Sequence, residues 1–376
     1  MEIHCDVYSS FVGLSAPASG LSSRSIFYAK NAQNFIADCL MNSRACPLDV
    51  NIRGSLEENE DGRRLVSTTL DQSVSRIEVL ELVTDINYYP ERNPAFPILQ
   101  KLTLGFTDND DESLIGFHGS PIQIFSAAPQ LRELYLYSKV VPSFLAIPWE
   151  RLTVFTGEQL SSKECVDVLR SAPLLTKAAF YNTRMVPNTP TISHPNLKSL
   201  DVERNDNILL QFLTLPTLQE LDMGDGKMKD VHLLQFLSRT SSSLLKLASG
   251  EVPFRSLSQM LALTNLKLYD PRGEFIDQLF RMLDRNREHP GFLPQLQVLE
   301  IEDTFPYVNG WLVAGLISRR TATEDGGAKL QYFRQFWKNQ SLQINYDGRD
   351  GRDLADLIKD GMDIYIGPKK YALYPS

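Results

Sequence analysis

The chain has 376 residues, with 38 basic and 46 acidic side chains and a formal net charge of −8. A hydrophobic fraction of 43% can fill a large core, which excludes wholesale disorder. The acidic balance excludes a general nucleic-acid binder, because phosphate binding needs clustered Lys and Arg. Cysteines at 5, 39, 46 and 165 form no CxxC pair, so zinc-ribbon and thioredoxin-like readings have no support. They read as reduced, mostly buried thiols of an intracellular protein. No apolar run approaches the ~20 residues needed to span a bilayer, and the start MEIHCDVYSS lacks the basic region of a secretory leader. The expected location is cytoplasm or nucleus, away from the membrane.

In chain order, residues 1–27 are rich in Ser, Gly and Ala with no apolar period, and are expected to be a disordered leader. Residues 28–376 are expected to form a leucine-rich-repeat-like solenoid, with an N-terminal helix and strand cap and a C-terminal strand cap. The spacing of Phe35, Ile36, Cys39 and Leu40 predicts a helix over 28–43. The alternation in Pro47-Leu48-Asp49-Val50-Asn51-Ile52 predicts a first strand.

From there the phrase L-x-x-L-x-L recurs, for example at Leu99-Leu102-Leu104, Leu131-Leu134-Leu136, Leu218-Leu221-Met223 and Leu296-Leu299-Ile301. Counting looser copies, first positions fall at 77, 99, 131, 152, 175, 197, 218, 244, 263, 296 and 330. Self-similarity at this period marks a solenoid. The long spacings imply inserted loops, one holding Asp108 to Glu112 and one holding Ala322 to Gly327. Pro97, Pro129, Pro173, Pro195, Pro216 and Pro294 each stand two residues before a first-position Leu. Proline ends one element and opens an extended one.

Helical spacing appears between strands at Cys165, Val168 and Leu169, at Phe275 to Leu283, and at Leu354, Leu357 and Ile358. Ser161-x-x-Glu164 and Ser256-x-x-Gln259 have capping-box form. Asp353 is the expected N-cap of the last helix and Gly361 its C′ residue. Met362-Asp363-Ile364-Tyr365-Ile366 is the expected closing strand. The fold class is therefore α/β, a leucine-rich-repeat solenoid of irregular strand–helix repeats in a curved horseshoe. Its repeat leucines face inward, each burial worth roughly 1.5–3 kcal/mol.

No catalytic constellation emerges. The histidines at 4, 118, 194, 232 and 289 show no paired spacing, and no G-x-S-x-G elbow occurs. Gly224-Asp225-Gly226-Lys227-Met228 fails the phosphate-loop pattern, and the acidic run at 108–112 fails the EF-hand pattern. No cofactor, metal site or enzymatic activity is expected.

The order of several segments resembles the fungal F-box/leucine-rich-repeat-like proteins of mushroom-type fungi. Phe35 to Leu40 followed by Ser43 to Leu48 resembles the helix and strand after their F-box. Pro148 to Thr153, Ser162 to Leu169 and Gly361 to Ile366 resemble a mid-chain strand, its helix and the closing strand. The resemblance covers residues 30–367. It implies substrate recognition by the repeats and, where an F-box is present, docking on a cullin–RING ubiquitin-ligase adaptor. No F-box pattern is visible before residue 30, so the substrate-binding half is what carries over.

The x positions of the repeat line the sheet face opposite the core, the inner face of a solenoid. The candidate partner-binding residues there are Glu133, Tyr135, Tyr137, Tyr181, Asp201, Glu203, Glu220, Asp222, Tyr269 and Glu300. With Glu81, Lys177, Lys267 and Glu302 they give a face on which acids outnumber bases, with tyrosines interleaved. Such a face suits a protein substrate with a basic segment, through cation–π contact and charge pairing. Solubility of a sheet surface explains the same residues without a partner. The expected function is a monomeric protein-recognition scaffold, either the substrate-binding part of an F-box-type receptor or a stand-alone repeat protein with no ubiquitin role.

Overall fold

A computed structural model divides the chain into two compact units, Met1–Pro190 and Thr191–Ser376. The structure describes residues 2–8, 11–15, 26–27, 43, 45–54, 67–68, 70–84, 95–106, 122–137, 140–203, 208–226, 230–240, 243–284, 291–303, 310–320, 327–337 and 349–368. The unit boundary falls within the span that the repeat pattern assigns to one solenoid, and each unit carries its own run of repeats.

In the first unit the repeat strands are β4 (Leu48–Gly54), β5 (Ile77–Thr84), β6 (Lys101–Phe106), β7 (Glu133–Leu136), β8 (Val154–Glu158) and β9 (Lys177–Tyr181), each parallel to the next. Residues 1–27, expected as a disordered leader, include β1 (Glu2–Tyr8), β2 (Phe11–Ser15) and β3 (Ile26–Phe27). Strand β1 runs parallel to β4, and β2 and β3 follow as antiparallel neighbours. The signal was a short one: Ile3, Cys5 and Val7 alternate, and the Ser/Gly/Ala composition of the whole segment masks it.

Register explains why some copies of the repeat look loose. Leu80, Leu102, Leu134, Phe155 and Ala178 stand side by side in one buried ladder, and Leu82, Leu104, Leu136, Gly157 and Phe180 in the next. A Cβ on Gly157 would come within 2.5 Å of Leu160 and 2.8 Å of Phe155. The large Phe155 therefore takes the volume that Gly157 leaves, and Ala178 beside Phe180 repeats the exchange. Total core volume is kept while the letters change, as close packing requires.

In the second unit β11 (Ser199–Glu203), β13 (Glu220–Asp222), β14 (Lys246–Ser249), β15 (Asn265–Tyr269), β16 (Val298–Asp303), β17 (Tyr332–Trp337) and β18 (Asp363–Pro368) form one parallel sheet. A separate short pair joins β10 (Ile192–Ser193) and β12 (Leu213–Thr214). Leu200, Leu221, Leu247, Leu266, Leu299 and Phe333 form its main buried ladder. Both units are thus α/β, built of leucine-rich-repeat-like strand–helix units on a parallel sheet.

The prolines do more than break elements. Leu99, Leu131, Leu175, Leu218 and Leu296 each donate their N–H to the carbonyl three residues back, on Phe96, Ala128, Ala172, Leu215 and Leu293. Proline is then the second residue of a four-residue turn, where its fixed φ is pre-set. The next residue donates across to the preceding repeat: Gln100 to Glu78, Arg132 to Gln100, Thr176 to Thr153, Gln219 to Lys198 and Gln297 to Thr264, at 2.8–2.9 Å. Each turn thereby sets the register of the following strand.

Helices among the described residues include α1 (Ser162–Ser171), α2 (Asp230–Arg239), α3 (Phe254–Leu257), α4 (Gly273–Leu283), α5 (Gly310–Arg320) and α6 (Arg349–Lys359). The Ser161/Glu164 capping box is formed on both sides. Gly361 has φ +85 and donates to Ile358, while Met362 donates to Leu357, which is the Schellman closure expected of a C′ glycine.

Three helix details differ from expectation. Ser256 is buried inside α3, which starts after Pro253, so Ser256-x-x-Gln259 is no cap. Asp353 lies inside α6, whose first turn carries Asp350, an acid suited to the N-terminal dipole. Ile358 is exposed, and Leu354 and Leu357 alone of that trio turn inward. The helix expected over 28–43 lies, up to residue 42, outside the described residues, as do the loops at 108–112 and 322–326. Among the described residues no helix is long and apolar enough to cross a membrane.

Candidate functional site

Because inward residues alternate with outward ones, the register also fixes which outward side chains are neighbours. In the first unit one outward row is Asn51, Glu81, Thr103, Tyr135 and Thr156. Glu133 and Tyr135 lie on β7, Tyr137 directly follows it, and Tyr181 ends β9. All four are half-buried. Lys101 sits 4.9 Å above the Tyr135 ring, whose hydroxyl is 3.5 Å from Glu133. Arg53 pairs with Glu81, and the Asn51 amide donates to the same carboxylate at 3.0 Å. Burial, then the charge of Glu133, raises the Tyr135 pKa. Burial, then Glu81 and Glu158, raises that of Tyr137. Glu158, the register partner of Tyr181, accepts from Asn182 at 3.2 Å.

In the second unit Asp201 and Asp222 are direct register partners on β11 and β13. Register partners on parallel strands lie about 4.8 Å apart, so these carboxylates share one half-buried patch. Tyr269 reaches it from two strands away, its hydroxyl donating to Asp222 Oδ2 at 3.0 Å. The intervening row residue is Ala248, small enough to leave room for the phenol. Burial first, then the charge of Asp222 and its hydrogen bond, then Glu302 and Asp201, drive the Tyr269 pKa well above the usual phenol value. Asp222 also accepts from the Gly224 N–H at 2.9 Å, which shapes the turn leaving β13.

The remaining acids are matched with cations. Glu220 pairs with Lys246 at 2.6 Å. Lys267 lies 4.5 Å above the Tyr269 ring and 3.5 Å from Glu302. Glu300 faces Arg334 at 4.0 Å, and Arg334 reaches Asp363 at 3.3 Å. The backbone of Glu203 ends β11, while its side chain lies outside the described residues. The structure thus brings Asp201, Asp222 and Tyr269 together. Glu220 and Glu300 are bound up in pairs of their own.

Sequence reasoning missed Lys101, Lys246, Tyr332, Arg334, Phe336 and Tyr365 on these faces. All lie at alternating positions of strands in the repeat: Lys101 in a clear copy, the others in looser copies or the closing strand, so reading every position of every copy in phase would have found them. Among the described residues no group of three or more His, Cys, Asp or Glu could hold a metal ion.

No family model matches the chain, and no curated protein matches it. Among solved structures, a crystal structure of a Bacteroides fragilis protein is similar over 96% of this chain and 91% of its own, at 12% identity and a TM-score of 0.38.

Proposed function

We propose that this chain is a protein-recognition scaffold that takes a partner with a basic segment on the outward face of its second unit. One observation carries the reading: Asp201 and Asp222 stand directly opposite each other across β11 and β13, half-buried. Two carboxylates on one patch, with the Tyr269 phenol donating to one of them, are complementary in charge to a basic segment of a partner. The resemblance to fungal F-box/leucine-rich-repeat-like proteins supports a finer role, the substrate-binding part of an F-box-type ubiquitin-ligase receptor.

Affinity capture of partners with the wild-type chain and with Asp201→Lys/Asp222→Lys tests the face. The expected outcome is loss of the captured partner, and unchanged affinity removes the reading. Co-expression with the ligase adaptor, followed by size exclusion with mass determination, tests the finer role. A one-to-one complex supports it. A species of the chain's own mass counts against it.

A further inference from the structure

The parallel sheet of the second unit ends at β18, and among the described residues β17 is its one strand neighbour. The last strand of a sheet presents backbone N–H and C=O groups that a further strand would use. The register says which ones. Asp363 donates its N–H to Gln331 on the β17 side. Bonding direction alternates along a strand, so Asp363, Tyr365 and Gly367 bond towards β17 while Ile364, Ile366 and Pro368 point the other way. Proline has no N–H, and the Pro368 carbonyl accepts from the Tyr365 hydroxyl at 2.8 Å. Met362 gives its N–H to Leu357. The edge therefore offers the N–H and C=O of Ile364 and of Ile366.

The apolar core is open at the same place. The buried ladder of Leu266, Leu299 and Phe333 ends on Ile364, which is half-buried, and Ile366 beside the buried Gln335 is half-buried too. The terminal helix α6 packs on α5 and on β18, and its Ile358 is 52% exposed. End repeats of a solenoid ordinarily carry a polar outer face; these isoleucines do not supply one.

We propose that β18 is the interface of a twofold homodimer, in place of the monomer expected from the sequence. Strand β18 pairs antiparallel with β18 of a second copy, Ile364 opposite the second copy's Ile366 and Tyr365 opposite itself. In this register Ile364 and Ile366 exchange both backbone bonds across the axis, and symmetry repeats the exchange. Both isoleucines share the inward face, so the apolar row runs on into the second copy. A shift of two residues one way sets Ile364 against Pro368, which has no N–H. A shift the other way sets Ile366 against Met362, whose N–H is already given to Leu357. On the outward face the two Tyr365 rings meet at a non-hydrogen-bonded pair, the closer kind, each resting on its own Phe336 at 5.3 Å.

Charge agrees with this pairing. Asp360 and Asp363 stand at the start of β18, and Lys369 and Lys370 follow its end in the sequence. Antiparallel pairing sets the acidic start of one copy beside the basic end of the other. An unrelated strand would match the backbone bonds alone; a second copy matches bonds, apolar row and charge together. A strand pair this short is small beside the roughly 1,600 Å² of a standard stable interface, so the association is reversible.

Sedimentation equilibrium of the full chain over a range of concentrations tests the proposal, with three variants. The expected result is a concentration-dependent species of twice the chain's mass. Ile366→Pro removes an outward N–H and leaves the bonds to β17, as an edge proline does; it should weaken self-association at least about tenfold. Tyr365→Cys should form an intermolecular disulfide on mild oxidation with diamide, because opposed Cα atoms at such a pair lie about 4.5 Å apart. Asp363→Cys should not, because the two copies of that position stand four residues, about 13 Å, apart along the pair. Both cysteine variants carry Cys46→Ser, which removes the exposed native thiol, and peptide mapping identifies the bridge. A chain monomeric at every concentration overturns the proposal and leaves the edge to a strand of another protein. A dimer unchanged by Ile366→Pro, or cross-linked equally through Asp363→Cys, also overturns it, because the copies then meet elsewhere. Where a thermal melt shows Ile366→Pro unfolded, the two cysteine variants decide. Failure here leaves the recognition reading untouched, since its capture test changes Asp201 and Asp222 alone.

Discussion

Replacing Arg319 by Met should cost more stability than any single substitution of a repeat leucine's outward neighbour. Arg319 lies on α5 and is 0% exposed. Its guanidinium donates to three backbone carbonyls: Leu283 at 2.8 Å, Leu293 at 3.1 Å, and Phe292. Leu283 is the last residue of α4, where helix carbonyls have no intrahelical donor. Leu293 opens the turn into β16, with φ +45 and its carbonyl also accepting from Leu296. One side chain therefore closes a helix end and fixes the turn that sets the next strand's register.

Met matches the stem length and removes every donor. Each buried carbonyl left short of a donor costs about 1–3 kcal/mol. Relief of the guanidinium's desolvation returns several kcal/mol of the gross loss. The net expectation is a loss of roughly 2–5 kcal/mol, the usual outcome when a buried network is broken. Arg319→Lys should recover part of it, since one ammonium cannot present the planar fork that reaches three carbonyls. Urea unfolding measures the loss. Native-state hydrogen exchange locates it, because repeat stability is a sum over neighbouring units. The Leu296 and Gln297 amides should lose protection first, and amides of the Met1–Pro190 unit least. A Met variant within about 0.5 kcal/mol of wild type would refute the reasoning.

Leu221→Ala, at a ladder position 2% exposed, should cost about 2–5 kcal/mol through the cavity it leaves, and an unshifted thermal melt contradicts its inward placement. The raised Tyr269 pKa makes stability depend on alkaline pH. The phenol's contribution is fully present below its unfolded pKa of about 10 and is lost as pH rises above that towards the folded value. Urea midpoints of Tyr269→Phe should therefore fall less steeply than wild type above about pH 10; parallel curves sink the idea, since Tyr135 and Tyr137 remain in both proteins. Cys46 is exposed and Cys165 buried, with burial pushing the Cys165 thiol pKa up. Iodoacetamide on the native protein, followed by peptide mapping, should label Cys46 and reach Cys165 only after unfolding; equal labelling refutes the burial.

The core was legible because its code is local. Inward leucines recur at fixed steps, and proline sits at one position of one turn. The Ser161/Glu164 cap was legible for the same reason, since both partners lie within one turn of helix. Arg319 was not. Its carbonyl partners at 283, 292 and 293 belong to the preceding repeat and carry no side-chain signature. A polar letter in an amphipathic helix reads as solvent-facing until the turn beneath it is known. The exchange of volume between Phe155, Gly157 and Ala178 was hidden likewise, because each strand alone looks like a degraded repeat.

The outward face shows the same division more sharply. Tyr269 and Asp222 are 47 residues apart, and Glu220 and Lys246 are 26 apart. These separations are set by helices and loops between strands, so no fixed spacing can reveal them. Reading the clear repeats alone leaves out Lys246 and Arg334, which fall in looser copies, and with Lys101 of a clear copy also uncounted the surface looks acidic. With every strand in register, most acids have cations beside them. Asp201 and Asp222 stand as a pair on adjoining strands, and Tyr269 reaches Asp222 across the small side chain of Ala248. Under the proposed recognition reading, a basic partner that reaches only Glu220 or Glu300 must first displace Lys246 or Arg334.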